Sequence, residues 1–465
     1  MKSIGEKCAV FGIYGKGLDV SRLTFFGLYA LQHRGQESSG IASTDSKNIY
    51  CYKDNGLVAQ VFNEEIIRSL FGHCAIGHNR YSTSSGTDVK HAQPIETADH
   101  SIALAHNGNL PSVEALTDFL KKRGVVLSDV SDSKLITEAL YCLTKEGMKI
   151  EKALEEIFPL MTGSFSLLIM TKDKLIAVRD QHGIRPLSIG KLNGGYVFAS
   201  ETCAFHPIGA EFVGVVKPGE MVVVDKNGIH RKQIVKSIQK LDIFEFVYFS
   251  RPDSILLGQS VYDVRKRFGE ELFKENKIEA DVVIPVPETA IPVAIGYANA
   301  SGIPFEMGLI KSRYIHRTFI EPEQHIREQG VKLKLAPLKE VIKGKRVIVI
   351  DDSIVRGTTS RQIVKMLFET GAKEVHFLVS SPPVRFPDFY GIDLPWQYGL
   401  LAVGKTVEQM NAYLGSTSLS FLSYKGMVKA TGLKESLFCT SCFTGKYPID
   451  IKERRKEVRN LLSQK

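Results

Sequence analysis

Apolar positions follow two different rhythms along this chain. Up to about residue 240 they come as short runs closed by Gly, Asn or Asp: Cys8–Tyr14, Ala75–Ile76, Ile102–Ala105, Ser164–Met170, Leu175–Arg179, Tyr196–Ala199 and Gly219–Val224. Runs of that length between turn formers predict strands. Between them, Ser112–Lys122, Lys134–Glu146 and Ile150–Phe158 space apolar residues three and four apart and predict amphipathic helices. Antiparallel sheet with helices on its faces, an α+β layer arrangement, follows. Beyond residue 240, strands Asp281–Pro285, Pro304–Leu309, Arg346–Ile350 and Glu374–Ser380 alternate with helices Ala290–Ala300 and Ser360–Thr370, the latter ended by Gly371. That alternation predicts an α/β unit with a parallel sheet. The change of rhythm places a domain boundary within 235–250, and the last stretch, 416–465, reads as a more charged helical appendage.

Composition narrows the class. The chain has 465 residues, 43% hydrophobic and 24% charged. Those values exclude a disordered chain or a fibre. No window approaches ~18 uninterrupted apolar residues, so no membrane span is expected. No long apolar run follows Met1–Lys7, so a secretory signal peptide is not expected and a cytoplasmic location is. The net charge of +9 is spread along the chain, and the densest basic cluster, Lys452–Lys456, is interrupted by Glu453. A small anionic ligand explains that balance as well as nucleic acid does, and no nucleic-acid partner is expected. Of seven cysteines, Cys51, Cys74, Cys142 and Cys203 read as reduced core thiols.

The clearest chemistry lies in Val347–Thr359. Four apolar residues end in Asp351 and Asp352, at the carboxyl end of a predicted parallel strand, where open α/β sheets bind ligands. Arg356, Gly357, Thr358 and Thr359 then open a helix and offer N–H groups, hydroxyls and the helix dipole to a phosphate. The two acids suit sugar hydroxyls or a Mg²⁺ brought by a pyrophosphate. An ordinary strand end with a helix cap is the plainer explanation. It does not account for the acid pair, the Gly and the Thr pair arriving together. No Gly-Lys-Ser/Thr lies within Val347–Thr359, so a Walker A loop does not fit this stretch. The stretch resembles the phosphoribosyl-diphosphate (PRPP) fingerprint of type I phosphoribosyltransferases. Pro285–Ala290 is similar to the pyrophosphate loop of that family. Its Glu288-Thr289 stands where Asp-Ser is common, which leaves Thr289 as a hydroxyl ligand for Mg²⁺ beside Asp351 and Asp352. Lys311–Leu335, with Arg313, Tyr314, Arg317, Thr318 and Arg327, resembles a lid that would exclude water from an oxocarbenium-like centre.

In the first half Cys8 precedes Ala-Val-Phe-Gly-Ile. Removal of residues 1–7 would put a free α-amine, with an ordinary pKa of ~8, beside its thiol as proton acceptor. His106–Leu110 follows a predicted strand and can supply an oxyanion hole from the Asn107 side chain and the Gly108 N–H. Arg80, in Gly77–Thr83, suits a substrate carboxylate, and Asp132 suits an α-ammonium. Each piece alone has a plainer reading as a turn or a solvated charge. The ordered set resembles the glutaminase domain of class II (N-terminal nucleophile) amidotransferases, and Leu31–Glu37 adds to the resemblance. Thr83 joins Arg80 and Asp132 as a glutamine-binding residue on that resemblance.

A glutaminase of this kind ahead of a type I phosphoribosyltransferase resembles the glutamine phosphoribosyldiphosphate amidotransferases. Tyr248–Ser254, Ser380–Pro383 and Cys442–Pro448 belong to the match. The resemblance implies a four-layer α/β/β/α sandwich over 8–240, after a leader of residues 1–7. A phosphoribosyltransferase domain over 241–415 and the appendage 416–465 would follow. It implies that glutamine, PRPP and water give 5-phosphoribosylamine, glutamate and diphosphate, the first committed step of purine synthesis. Ammonia would pass through an internal channel formed on lid closure. Mg²⁺, a homotetramer and feedback inhibition by purine nucleotides are implied as well. Some members bind a [4Fe–4S] cluster through four cysteines. Two of those positions are Cys439 and Cys442 here, and the other two are Asp242 and Asp388. An unusual cluster, a Cys₂Asp₂ zinc site and no metal at all remain open. Competing functions are a hexosamine-forming amidotransferase, a PRPP-binding regulator and an ammonia-only phosphoribosyltransferase. The first lacks a place for the acid-acid-Gly-Thr-Thr motif, and the others have no need of the glutaminase set.

Overall fold

The computed structural model describes residues 8–81, 89–127, 131–312, 334–392, 394 and 397–462. The leader 1–7, Thr83 and the lid residues Arg313, Tyr314, Arg317, Thr318 and Arg327 lie outside them.

The first half is a sandwich of two antiparallel sheets. One runs, in spatial order, Glu211–Val215, Ser188–Leu192, Gly195–Ala199, Ala9–Gly15, Cys74–Arg80, Ser38–Thr44 and Ile49–Asn55. The other runs Gly228–Gln233, Glu220–Asp225, Leu175–Arg179, Thr162–Thr171, Ile102–Ser112 and Ile95–Glu96. Val10, Ile76, Ala103, Ala105, Leu168, Ala177 and Phe198 form a dry layer between the sheets. Leu28 of helix Val20–Ala30 packs on the outer face of the first sheet, against Phe11 and Ile13. Helices Glu114–Lys121, Asp132–Lys145 and Ile150–Ile157 cover the second through Leu116, Leu140 and Leu154. The order of layers is α/β/β/α, because the central strands bury both faces and the outer face of each sheet needs an amphipathic helix.

The expected strands and helices of this half are present with ends shifted by a few residues. One difference has a physical cause. The strand expected to stop at Ala105 continues to Ser112, so His106-Asn107-Gly108 is strand rather than turn. Its pairing with Thr162–Thr171 carries Asn107 opposite Ser166 and Gly108 opposite Phe165. Gly108 holds φ +155° there, a conformation closed to residues with a Cβ. The polar strand Ser38–Thr44 escaped notice because its faces, both buried, are lined by small hydroxyl residues rather than large apolar ones.

The second half holds a parallel sheet in the order Val282–Pro285, Arg346–Asp351, Glu374–Val379 and Ser418–Phe421. Helices Val261–Glu275 and Ile291–Ser301 cover one face, and Thr358–Glu369 and Val407–Leu414 the other. The strand expected over Pro304–Leu309 is replaced by a single parallel bridge, Val283 to Phe305. A short strand, Leu309–Lys311, pairs instead with Leu335–Pro337, which holds the two ends of the lid segment together. The stretch from residue 416 is not only helical: Ser418–Phe421 is the outer strand of the parallel sheet. Phe438–Cys439 pairs in parallel with Leu241–Asp242.

Candidate functional site

Two clusters of polar side chains gather the residues singled out above. The first lies where the two sheets of the sandwich face each other. Ala9 pairs with Asn79, which sets Cys8 beside Arg80 at the end of its strand. The Cys8 thiol lies 3.9 Å from the Tyr81 carbonyl. Burial raises its pKa, and the Arg80 charge and the Tyr81 contact pull the other way. Val10 N–H donates to Ser200 Oγ at 2.9 Å, and Asn107 Nδ2 donates to the same oxygen at 3.3 Å. Ser200 therefore ties strand Ala9–Gly15 to strand Ile102–Ser112. Asn107 Oδ1 is buried with no partner, an orphaned polar atom facing this junction.

Asp132 caps the arrangement from the start of helix Asp132–Lys145. It accepts the N–H of Leu110 at 3.2 Å and of Ser133 at 2.7 Å. His106 Nδ1 lies 3.7 Å from its Oδ2. Burial opposes ionisation of Asp132, but His106 and these N–H groups outweigh it and hold the carboxyl below its ordinary value. Ser200 and His106 were missed as site residues: both stand at ends of apolar runs, where a polar residue reads as a strand terminus.

The second cluster lies at the carboxyl end of the parallel sheet. Asp351 ends its strand and Asp352 follows, both nine-tenths or more buried. Asp352 N–H donates to Asp351 Oδ1 at 2.9 Å and Ser353 Oγ to Asp352 Oδ1 at 2.6 Å. Burial and the neighbouring carboxyl raise Asp351 well above the ordinary carboxylate range. Burial pushes Asp352 up to about 6, against the pull of the Arg265 charge. Arg265 is itself buried, donating to the carbonyls of Phe246 and Ser250 at 2.8 Å. Two crowded hard oxygen donors form a fitting place for Mg²⁺. Gly357, at φ +74°, caps helix Thr358–Glu369, so Thr358 and Thr359 present the first turn. Arg356 Nε is buried without a partner, as expected of a donor waiting for an anion. Parallel pairing of Val282–Pro285 with Val347–Ile350 brings the Val286–Ala290 turn and Thr289 next to this end of the sheet. Within the turn the Pro287–Glu288 peptide is cis.

The four positions of the implied cluster also converge, but their atoms are already committed. Asp242 is paired in register with Cys439, and Cys442 Sγ lies 3.9 Å from Asp388 Oδ2. Asp242 Oδ1 accepts Phe244 N–H at 3.0 Å and its Oδ2 accepts Arg185 Nη2 at 3.0 Å. Asp388 Oδ1 accepts the N–H groups of Tyr390 and Ile392, both at 2.8 Å. Burial raises both thiols. Among the described residues no group of three or more His, Cys, Asp or Glu is placed to hold a metal. A buried guanidinium among the carboxylates repels a cation, so this donor set does not fit a cluster or zinc.

Comparison with known proteins identifies both halves of the chain. Residues 78–207 match the glutamine amidotransferase domain family and residues 253–381 the phosphoribosyl transferase domain family. An amidophosphoribosyltransferase of Synechocystis sp. is 47% identical over 464 residues, covering 98% of this chain and 94% of that protein. One from Bacillus subtilis is 43% identical over 460 residues, covering 97% and 96%. The solved structure of the B. subtilis glutamine PRPP amidotransferase complexed with ADP and GMP superposes with a TM-score of 0.89 at 42% identity, covering 96% of this chain and 98% of that one.

Proposed function

The chain belongs to the amidophosphoribosyltransferase family, which forms 5-phosphoribosylamine from glutamine and PRPP in purine synthesis, and within that reaction we propose a role for each site residue. Cys8 attacks the glutamine amide once residues 1–7 are removed. Its thiol proton goes to the new α-amine, and a thioester forms as ammonia leaves. Arg80 and Thr83 hold the substrate carboxylate, and Asp132 its ammonium. Gly108 N–H and the Asn107 side chain stabilise the oxyanion. Water then hydrolyses the thioester to glutamate.

At the second site Arg356, Gly357, Thr358 and Thr359 hold the 5-phosphate of PRPP. Asp351 and Asp352 accept its ribose hydroxyls. Bound Mg²⁺, held by those acids and Thr289, would neutralise charge on the departing diphosphate. Ammonia released at Cys8 attacks C1 as the bond to diphosphate breaks. Purine nucleotides act as inhibitors, a role suggested by the ADP and GMP bound to the B. subtilis protein. The assembly is a homotetramer.

The ionised Asp132 beside the Cys8 cluster carries this reading furthest, because nothing in a phosphoribosyltransferase calls for it. The test is glutamate and diphosphate release, with and without PRPP and Mg²⁺, on protein whose intact mass has been recorded. PRPP-stimulated glutamate from protein lacking residues 1–7 is expected. Processed protein that makes phosphoribosylamine from ammonia but releases no glutamate from glutamine would overturn the Cys8 assignment.

A further inference from the structure

Arg185 is fully buried, and no step of the reaction uses it. Its guanidinium gathers three groups. Nη1 donates to Glu245 at 3.2 Å and Nη2 to Asp242 at 3.0 Å. Nε and Nη2 both donate to the Tyr390 carbonyl at 3.2 Å. Asp388 adds a carboxylate 3.9 Å from Nη2. Its Oδ1 also receives the Tyr390 and Ile392 N–H groups, so the chain from 388 to 392 is wrapped around that side chain. Together the two residues grip one short segment, Phe389-Tyr390-Gly391, from both sides of its backbone.

That segment lies on the oxyanion strand of the other half. Asn109 Nδ2 donates to the Phe389 carbonyl at 2.8 Å, and Ser164 Oγ to the Tyr390 carbonyl at 2.6 Å. Gly391, at φ +105°, rests against the Gly108 peptide: a Cβ there would fall 3.1 Å from the Gly108 carbonyl carbon and 3.2 Å from its oxygen. Gly108 thus has Ser164 on one side and Gly391 on the other. The orientation of its N–H depends on where both are held.

We propose that Arg185 and Asp388 are positioning residues for the glutamine site, seating Phe389–Gly391 against Gly108 and so fixing the strand that carries Asn107 and Gly108. The proposal rests on the assignment of Gly108 as an oxyanion donor. Two features separate this role from a purely structural one. The grip runs through backbone acceptors and donors, so its consequence is the placement of one peptide. The segment also bonds directly to the strand of Asn107 and Gly108, so its displacement is expected to act on the glutamine reaction, with the ammonia-dependent rate as the control.

The test uses full-length processed protein with four variants: Asp388→Ala, Asp388→Asn, Gly391→Ala and Cys8→Ala. Each is assayed for kcat and KM with glutamine, and for diphosphate release with ammonia as nitrogen donor. Asp388→Ala and Gly391→Ala are expected to lower kcat with glutamine about tenfold or more, with KM for glutamine and the ammonia-dependent rate within about twofold. Asp388→Asn keeps an oxygen that accepts the Tyr390 and Ile392 N–H groups and is expected to restore most of kcat. Should Asp388→Ala fail to fold, Gly391→Ala carries the test alone, since it adds one methyl group. Full glutamine-dependent kcat in Gly391→Ala, a parallel fall of the ammonia-dependent rate, or an Asp388→Asn no better than Asp388→Ala would each overturn the proposal. Glutamine-dependent turnover surviving in Cys8→Ala would instead overturn the assignment of the nucleophile.

Discussion

A single methyl group at Gly108 tests the oxyanion strand directly. Gly108→Ala puts a Cβ 2.8 Å from the Ser164 carbonyl carbon, closer still to its oxygen, and 2.8 Å from His106 Nε2. Carbon atoms prefer about 3.5–4.0 Å, so the two paired strands must part by about 1 Å. The backbone at φ +155° adds strain of its own. Neither neighbour yields easily: Ser164 is sheet backbone, and His106 is fixed by Ser133 at 3.1 Å. A misplacement of about 1 Å in a positioned catalytic group costs roughly a hundredfold in rate. A hundredfold corresponds to about 2.7 kcal/mol of lost transition-state stabilisation. The measurement is kcat for glutamate release beside the ammonia-dependent rate of diphosphate release, on protein of matched thermal stability. The first is expected to fall about a hundredfold, and the second to stay within about twofold. Glutamine-dependent kcat within twofold of wild type would refute the placement of the oxyanion hole. Equal loss of both rates would show that the methyl group had disturbed the whole protein rather than one site.

Four other outcomes follow from the charges. The Asp351–Asp352 pair carries bound protons at pH values where free carboxylates are ionised, so Mg²⁺–PRPP binding must expel them; calorimetric titration in buffers of different ionisation enthalpy should show proton release that diminishes as pH rises. A native Asp352 titrating at about 6, against an unfolded value of about 3.9, binds more protons than the unfolded chain across that window, so its contribution to stability falls as pH rises through it and is lowest above about 6. Asp352→Asn removes the cost of that buried charge and should raise the thermal unfolding midpoint at pH 7.5 while weakening PRPP binding, the reverse of what loss of a stabilising residue does. Arg34 is buried between Glu201, at 2.7 Å from Nε, and Glu245, so Arg34→Met breaks two buried pairs, leaving Glu201 to His33 and Glu245 to Arg185, and should cost roughly 3–5 kcal/mol, read as a shift in the urea unfolding midpoint.

Legibility in the sequence followed the physics of each element. Strands with large apolar residues, such as Ser164–Met170 and Leu175–Arg179, announce themselves because burial of both faces leaves few polar positions. The parallel strand before Asp351 is equally plain, and its two acids mark the ligand end. Strand Ser38–Thr44 is hidden because its buried side chains are small and hydroxylated. The His106–Asn109 stretch is misread as a turn because Asn and Gly usually make one. Only the pairing with Ser164–Ser166 shows that the glycine is needed for a close approach within a strand. Arg185, Glu201 and Glu245 stand as lone charges in apolar surroundings. That is a signal of buried pairing, but partners 60 residues or more apart cannot be matched without the fold.

The two aspartates at 242 and 388 show why residue type alone did not decide between metal and ion pair. Cysteine at such positions would leave a guanidinium with no carboxylate to answer it except Glu245. With aspartate, Arg185 gains two carboxyl groups, and each also accepts backbone N–H groups, Asp242 from Phe244 and Asp388 from Tyr390 and Ile392. A buried ion pair is tolerated only when its remaining lone pairs are satisfied in this way. The same bonds that satisfy Asp388 are those that fold 388–392 over the glutaminase strand. Charge compensation and the seating of that segment are therefore one arrangement. A change that reintroduced a metal ligand at 388 without removing the Arg185 charge would have to break both.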